Sequence, residues 1–294
     1  MSKTGLVVEG GGMKCAYSAG VLDAFLDDRV SFDYCIGVSA GSGNVASFLA
    51  GQRGRNRRFY TEHISDPAYF GLTSFLKTGD MFGLKYIYGT LTNSGGGDSL
   101  DYDRMEKNPS EFVIVATNAR LGKPAYFTKD EIARDDYRII MASCAIPSVC
   151  RPIVIDGEKY FDGGVSDSLP VRKALKDGCD KLVLIMSKPR DYKKAPEKNR
   201  LFYHAMCMRY PNVIRLIDRR HIMYNNSLRY VHDLEKAGKL FLICPSRHLD
   251  MDTYGMDEKA NEKLYELGIR DYSLLRDDLR KFMQQADPGH FSSI

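Results

Sequence analysis

What most limits the folds open to this chain is the order of its first fifty residues. Gly5-Leu6-Val7-Val8-Glu9 is a short apolar run that ends in Gly10-Gly11-Gly12-Met13-Lys14-Cys15. Cys15, Ala19, Leu22, Phe25 and Leu26 then recur at helical spacing to about Asp28. A second apolar run, Tyr34-Cys35-Ile36, leads into Gly37-Val38-Ser39-Ala40-Gly41-Ser42-Gly43, and a helix-like segment follows from Asn44 to Ala50. Strand, helix, strand, helix predicts a parallel sheet with helices on its faces. Both glycine-rich turns then fall at the C-terminal ends of strands, where open α/β sheets bind ligands.

Further along, Glu111 to Thr117 reads as a strand with Pro124 to Thr128 as its partner, and Asp130 to Met141 as a short helix. Pro152 to Gly157 turns back into Tyr160-Phe161-Asp162-Gly163-Gly164-Val165 as a hairpin, and Leu182 to Met186 is another buried strand. Gly51 to about Leu91 is a helical insertion carrying Arg53, Arg55, Arg57 and Arg58 and many aromatics. Asn93 to Ser99 is a flexible loop in which Asp98-Ser99 is placed to cap the next element. Lys188 to Arg200, rich in lysine and proline, reads as a surface linker. The last hundred or so residues look mostly helical, with one strand-like run at Leu240 to Cys244. The basic and aromatic residues there (Arg219, Arg220, Tyr224, Arg229, Tyr230) read as a solvated helical face.

At 294 residues, 44% apolar and 27% charged, the chain has enough apolar surface to fold without disulfides. A net charge of +4 suits an anionic lipid surface but falls far short of a nucleic-acid footprint, so no nucleic-acid partner is expected. Seven scattered cysteines with no C-x-x-C pair indicate buried free thiols, not zinc or a disulfide framework. Met1 to Thr4 lead straight into a strand with no signal-peptide pattern, and no run is long enough to cross a bilayer. The expectation is a soluble, cytoplasmic protein with at most peripheral contact with the inner membrane surface.

Three features carry chemistry. The spacing Gly37-x-Ser39-x-Gly41 is that of a nucleophile elbow, in which small residues allow a sharp strand-to-helix turn and hold the hydroxyl out. Gly10-Gly11-Gly12 offers backbone N–H groups at a helix N-terminus, with Lys14 adding positive charge. It lacks the sixth-position glycine of a dinucleotide fingerprint and the Gly-Lys-Ser/Thr of a P-loop; a plain packing turn stays open. Asp162 lies in an Asp-Gly-Gly turn; alone that is a hairpin signal, but beside the other two features it is a candidate proton acceptor. No calcium loop or clustered His/Cys ligands are present, so no metal or cofactor is expected.

Glu9-Gly10-Gly11-Gly12-Met13-Lys14, Gly37-Val38-Ser39-Ala40-Gly41, Ala142-Ser143-Cys144-Ala145-Ile146-Pro147 and Tyr160-Phe161-Asp162-Gly163-Gly164-Val165 occur in the order seen in patatin-like phospholipases, which this chain resembles over about residues 5 to 172. The resemblance implies a three-layer α/β/α fold with a largely parallel sheet: a catalytic domain over 5–172, then the remaining sheet strands and a mostly helical region over 173–294. It implies a Ser–Asp dyad, which carries onto Ser39 and Asp162, and an oxyanion hole, which carries onto Gly10, Gly11, Gly12 and Met13. Lys14, Gly37, Gly41, Gly163 and Gly164 support these motifs. The implied substrates are phospholipids, lysophospholipids or other acyl esters, cleaved to release fatty acid. An acyltransferase with the same dyad, or a low-turnover lipid-binding protein with the same fold, are the alternatives. The insertion's aromatics are then either core or a lid and acyl-binding wall, and its arginines a candidate seat on anionic lipid. The family motif usually continues Lys/Arg-Gly where this chain has Lys14-Cys15; helical periodicity begins at Cys15, where a cysteine is harmless. A dyad also accounts for the histidines (63, 204, 221, 232, 248 and 290), none of which sits in a triad-like motif.

Overall fold

The structure, a computed structural model, describes residues 2–247 and 255–285. Among the described residues, eight strands form one sheet: β1 Thr4–Val8, β2 Tyr34–Val38, β3 Glu111–Asn118, β4 Lys123–Thr128, β5 Ile153–Ile155, β6 Glu158–Asp162, β7 Lys181–Ile185 and β8 Leu240–Ile243. β8, β7, β1, β2 and β3 lie side by side in that order, all parallel. β4 and β6 pair antiparallel with β3, and β5 pairs antiparallel with β6. Every residue of β1, β2 and β7 is buried, because helices cover both faces; that is why these strands are unbroken apolar runs rather than alternating ones.

Among the described residues, ten α-helices surround the sheet: α1 Ala16–Asp27, α2 Ala40–Leu49, α3 Arg55–Tyr60, α4 Leu72–Thr78, α5 Tyr102–Lys107, α6 Arg138–Cys144, α7 Val171–Lys176, α8 Arg200–Met206, α9 Pro211–Lys236 and α10 Glu258–Gln284. Successive strand residues point into opposite layers. Leu6, Val8, Cys35, Ile114 and Val183 pack with α1, α2 and α10, whereas Val7, Ile36, Val113, Leu182 and Leu184 pack with α7 and α9. The expected three-layer α/β/α arrangement with a mostly parallel sheet is therefore what the chain adopts.

The C-terminal helices complete these layers. α10 lies on α1 at backbone distance: a Cβ at Gly20 would sit 2.0 Å from the Tyr265 carbonyl oxygen, and one at Gly268 2.2 Å from that of Tyr17. Lys181, buried at the start of β7, donates from Nζ to the Phe282 and Gln285 carbonyls at the α10 C-terminus, where a cation is favoured. Among the described residues no helix is long and apolar enough to cross a membrane.

Two sequence expectations need correction, and two need refinement. The helix expected over Asp130 to Met141 is confined to α6; before it the chain makes a 3-10 turn, Lys129–Glu131, closed by a Thr128–Glu131 capping box. Asp98 caps nothing: its carboxylate takes Arg58 and His63, and Asp101 caps α5 through the Arg104 amide. The four arginines are all engaged by partners within the fold, although Arg53, Arg57 and Arg58 stay partly exposed. Arg53 pairs with Asp27, Arg57 with Glu262 and Arg58 with Asp98, while buried Arg55 donates to Ser47, Thr92 and the Asp98 carbonyl. The stretch from Lys188 to Arg200 lies at the surface, but it is anchored: Lys194 and Asn225 exchange two hydrogen bonds and the Tyr192 ring stands edge-on to Tyr224.

Candidate active site

β3 is the ruler that builds the site. β4 occupies one of its edges over Val113 to Asn118, so β2 and β6 share the other: β2 as far as Val38 opposite Val115, then β6 from Asp162 opposite Ala116. Ser39, which follows Val38, and Asp162 thus succeed one another along a single edge although far apart in sequence. The Ser39 hydroxyl donates to Asp162 Oδ2 at 2.7 Å, and both side chains are buried.

The elbow is strained and braced. Ser39 has φ 54° and ψ −135°, a conformation that costs a non-glycine residue roughly 1–3 kcal/mol. Its amide donates to Ser143 Oγ at 2.8 Å, and the Ser143 hydroxyl in turn donates to the Val115 carbonyl at 2.6 Å. Its carbonyl accepts from the amide and hydroxyl of Ser42. The flanking glycines serve close approach, not an unusual φ. A Cβ at Gly37 would lie 2.5 Å from Ser42 Cα, and one at Gly41 2.7 Å from the Val8 and Glu9 carbonyl oxygens.

The glycine turn is stacked on this elbow. A Cβ at Gly10 would lie 2.7 Å from Ser39 Cβ, and Gly12 has φ 56°. Among the described residues, the amides of Gly10, Gly11, Gly12 and Met13 find no protein acceptor, whereas the Lys14 amide closes the turn onto the Gly11 carbonyl at 3.2 Å. Lys14 itself is half-buried at its end. Cys15 has φ −72° and ψ −3°, ordinary right-handed backbone, and burial pushes its thiol up to about 12. Beneath the turn, the buried Glu9 carboxylate accepts from the Ser187 amide at 2.7 Å, Tyr224 Oη at 2.8 Å and Lys188 Nζ at 2.5 Å. This ties the end of β1 to β7 and α9.

Asp162 is held on all sides. Its Oδ1 accepts from the Gly164 amide at 2.7 Å, its amide donates to the Ala145 carbonyl, and its carbonyl accepts from Thr117 Oγ1. Gly163 has no room for a side chain, since a Cβ there would lie 2.2 Å from the Val115 carbonyl oxygen. Arg220, reaching in from α9, donates from Nε to the Gly164 carbonyl at 2.7 Å. Burial raises the Asp162 carboxyl above the ordinary range, and the Ser39 hydroxyl, the Arg220 charge and the Gly164 amide only partly oppose it. Sequence reasoning missed Ser143 and Arg220. Ser143 stood in a quoted motif with no role attached. Arg220 sat in a run read as solvated, although Val213, Ile217, Arg220 and Tyr224 recur at helical spacing on one face of α9.

Ser39 lines two cavities that differ in character. One is a narrow slot walled by Phe59, Tyr60, Tyr69, Phe82, Ile87 and Tyr88 from the 51–91 insertion. The other, of about 390 Å³, is walled on one side by Lys188, Tyr192, Lys194, Glu197 and Arg220. Among the described residues, no histidine lines either cavity, and no group of three His, Cys, Asp or Glu side chains gathers to hold a metal ion. His63, His204 and His232 lie against Asp98, Asp218 and Glu235; His248 and His290 lie outside the described residues.

A family model described as Patatin-like phospholipase matches residues 6–175, and one described as a domain of unknown function (DUF6363) matches residues 210–284. The protein YjjU of Escherichia coli is 26% identical over 266 residues, which are 90% of this chain and 74% of that one. Lysophospholipase nte1 of Aspergillus terreus is 26% identical over 172 residues, 57% of this chain but only 11% of that much longer one. Among solved structures, VipD from Legionella pneumophila superposes with a TM-score of 0.50 at 13% identity, covering 95% of this chain and 67% of that one, a likeness of fold alone.

Proposed function

Because the chain belongs to the patatin-like phospholipase family, we propose that it is a serine-dependent lipid acyl hydrolase in which Ser39 is the nucleophile and Asp162 the proton acceptor. The observation that carries this reading is the 2.7 Å hydrogen bond from Ser39 Oγ to Asp162 Oδ2 at a strained elbow open to two cavities. Ser39 Oγ attacks the ester carbonyl carbon as its proton passes to Asp162. The carbonyl oxygen, now an anion, is received by the unengaged amides of Gly10 to Met13, each such donor being worth roughly 3–4 kcal/mol in the transition state. Collapse breaks the ester C–O bond, and Asp162 returns the proton to the departing alkoxide. Water then attacks the acyl-serine, giving up a proton to Asp162, and fatty acid leaves with Ser39 restored.

An aspartate is a weak base, and burial is what improves it. A carboxyl whose proton affinity is raised toward the working pH accepts the serine proton at a smaller energetic penalty. The slot suits the acyl chain, since its walls are aromatic and aliphatic. The wider cavity, with its lysines and Arg220, suits the leaving alcohol and its polar head group. The backbone of Cys15 is unstrained, which favours turnover over a binding-only protein. In an assay on mixed lipid vesicles with mass-spectrometric product analysis, wild type is expected to release fatty acid. Ser39→Ala and Asp162→Asn are expected to lose about 10⁴-fold or more. Fatty acid release by Ser39→Ala at the wild-type rate would sink the proposal.

A further inference from the structure

The exposed apolar side chains Leu121, Val154, Ile222 and Leu274 are scattered singly over the fold, as on most proteins. Two segments depart from that pattern: Phe75 and Leu76 are adjacent on α4 at 42% and 75% exposure, and a longer run lies at α8. α8 and the turn after it carry Leu201, Phe202, Met206 and Met208 at 89%, 53%, 53% and 71% exposure. The helix spends its inward face on Tyr203 and Cys207, one turn apart, which pack with Phe161, Val165, Val213 and Ile217. A helix that meets only water carries polar residues on its other face. This one is apolar on both.

We propose that this segment is the surface by which the protein sits on an anionic lipid bilayer, with the Ser39 cavity opening onto the membrane beside it. Two observations select a bilayer as the occupant. The first is charge. Lys193, Lys198 and Arg209 are exposed in the chain flanking the apolar residues. The nearest carboxylates are committed within the fold: Glu197 to Lys194 and Arg220, Asp218 to Tyr203, His204 and Arg200. Apolar side chains flanked by cations match the interface of an anionic leaflet, where each basic residue is worth roughly fivefold in binding. The second is position. Lys198, Asn199, Phe202 and Tyr203 line the same cavity as Ser39 and Asp162, so the apolar rim and the cavity mouth are continuous. A lipid ester held in a bilayer would reach Ser39 without crossing water. The purpose of the surface rests on the hydrolase reading, but its binding does not.

The test uses the full chain with vesicles of phosphatidylglycerol and phosphatidylcholine, read by co-sedimentation, beside turnover of a water-soluble short-chain ester. Wild type is expected to bind. The triple variant Leu201→Ser, Met206→Ser, Met208→Ser should lose at least tenfold in vesicle binding and in vesicle hydrolysis, while soluble-ester turnover stays unchanged. Lys198→Glu with Arg209→Glu should lose binding to anionic vesicles by a similar factor. Vesicle binding by the triple variant equal to wild type would overturn the proposal. So would a wild-type dimer that the triple variant converts to monomer while vesicle binding persists, for the patch would then be a contact between copies. Absence of ester turnover in a wild type that still binds vesicles would remove the hydrolase reading and leave this surface standing.

Discussion

Two basic stretches flank the Ser39 cleft, and they use their charge in opposite ways. In Arg53 to Arg58 every arginine is matched: Arg53, Arg57 and Arg58, partly exposed, pair with carboxylates at Asp27, Glu262 and Asp98, and buried Arg55 takes neutral acceptors. In Lys188 to Arg200 the cations face a cavity or solvent: Lys188, Arg190, Lys194 and Arg200 are matched by Glu9, Glu235, Glu197 and Asp218, while Lys193 and Lys198 have no ion pair among the described residues. In sequence the first looks like the better membrane seat. In the fold the first stretch is the more completely paired, because its carboxylate partners come from α1, α10 and the loop before α5. Charge density along a chain says little about where charge is available; only the fold decides which cations remain in excess.

Removing Arg55 gives the largest contrast. It sits fully inside the insertion, burial pushes its guanidinium down to about 10, and its loss orphans acceptors at Ser47, Thr92 and Asp98. Arg55→Met is expected to destabilise by about 3 kcal/mol or more in chemical denaturation, whereas Lys193→Ala in the other stretch should stay within about 0.5 kcal/mol. Equal effects would erase the distinction.

A smaller effect sharpens the role of the second wall. Arg220 reaches Asp162 only through the Gly164 peptide and its own charge. Arg220→Gln removes a cation that opposes the upward shift, so the acid limb of the pH profile of kcat/KM should move to higher pH. Activity at the acid end should fall by about tenfold, with Arg220→Lys restoring the limb in part. An unmoved limb would make Arg220 merely structural.

The smallest effect concerns stability. With its folded pKa raised above the unfolded value, Asp162 favours the folded state when protonated. Its contribution to stability therefore declines as pH rises from the unfolded pKa through the folded one. Asp162→Asn should raise Tm at pH 7 by about 2–4 °C for each kcal/mol relieved, and the difference should vanish in acid below the unfolded pKa. A lower Tm at neutral pH would contradict the sign.

What could be read from the sequence was local. The β1–α1–β2–α2 order follows from apolar runs and glycine spacing, and the β5–β6 hairpin from Asp156-Gly157 between two short runs. The pairing of Ser39 with Asp162 needed resemblance, because it depends on β2 and β6 sharing one edge of β3, a matter of register between distant segments. The stretch at 188–200 does lie at the surface, as lysine and proline signal; what the sequence could not show is that Glu9, Tyr224 and Asn225 anchor it. Asp98 looked like a cap since its arginine and histidine partners arrive from an earlier turn of chain.

The central claim is that Ser39 is activated by Asp162 without a histidine. Its most direct test is intact-mass analysis after exposure to a fluorophosphonate, applied to wild type, Ser39→Ala, Asp162→Asn and each of the six histidine-to-alanine variants. One adduct at Ser39 is expected in wild type and at an undiminished rate in every histidine variant, with none in Ser39→Ala and a rate at least a hundredfold lower in Asp162→Asn. A folded histidine variant that fails to label, or an Asp162→Asn that labels like wild type, would contradict it.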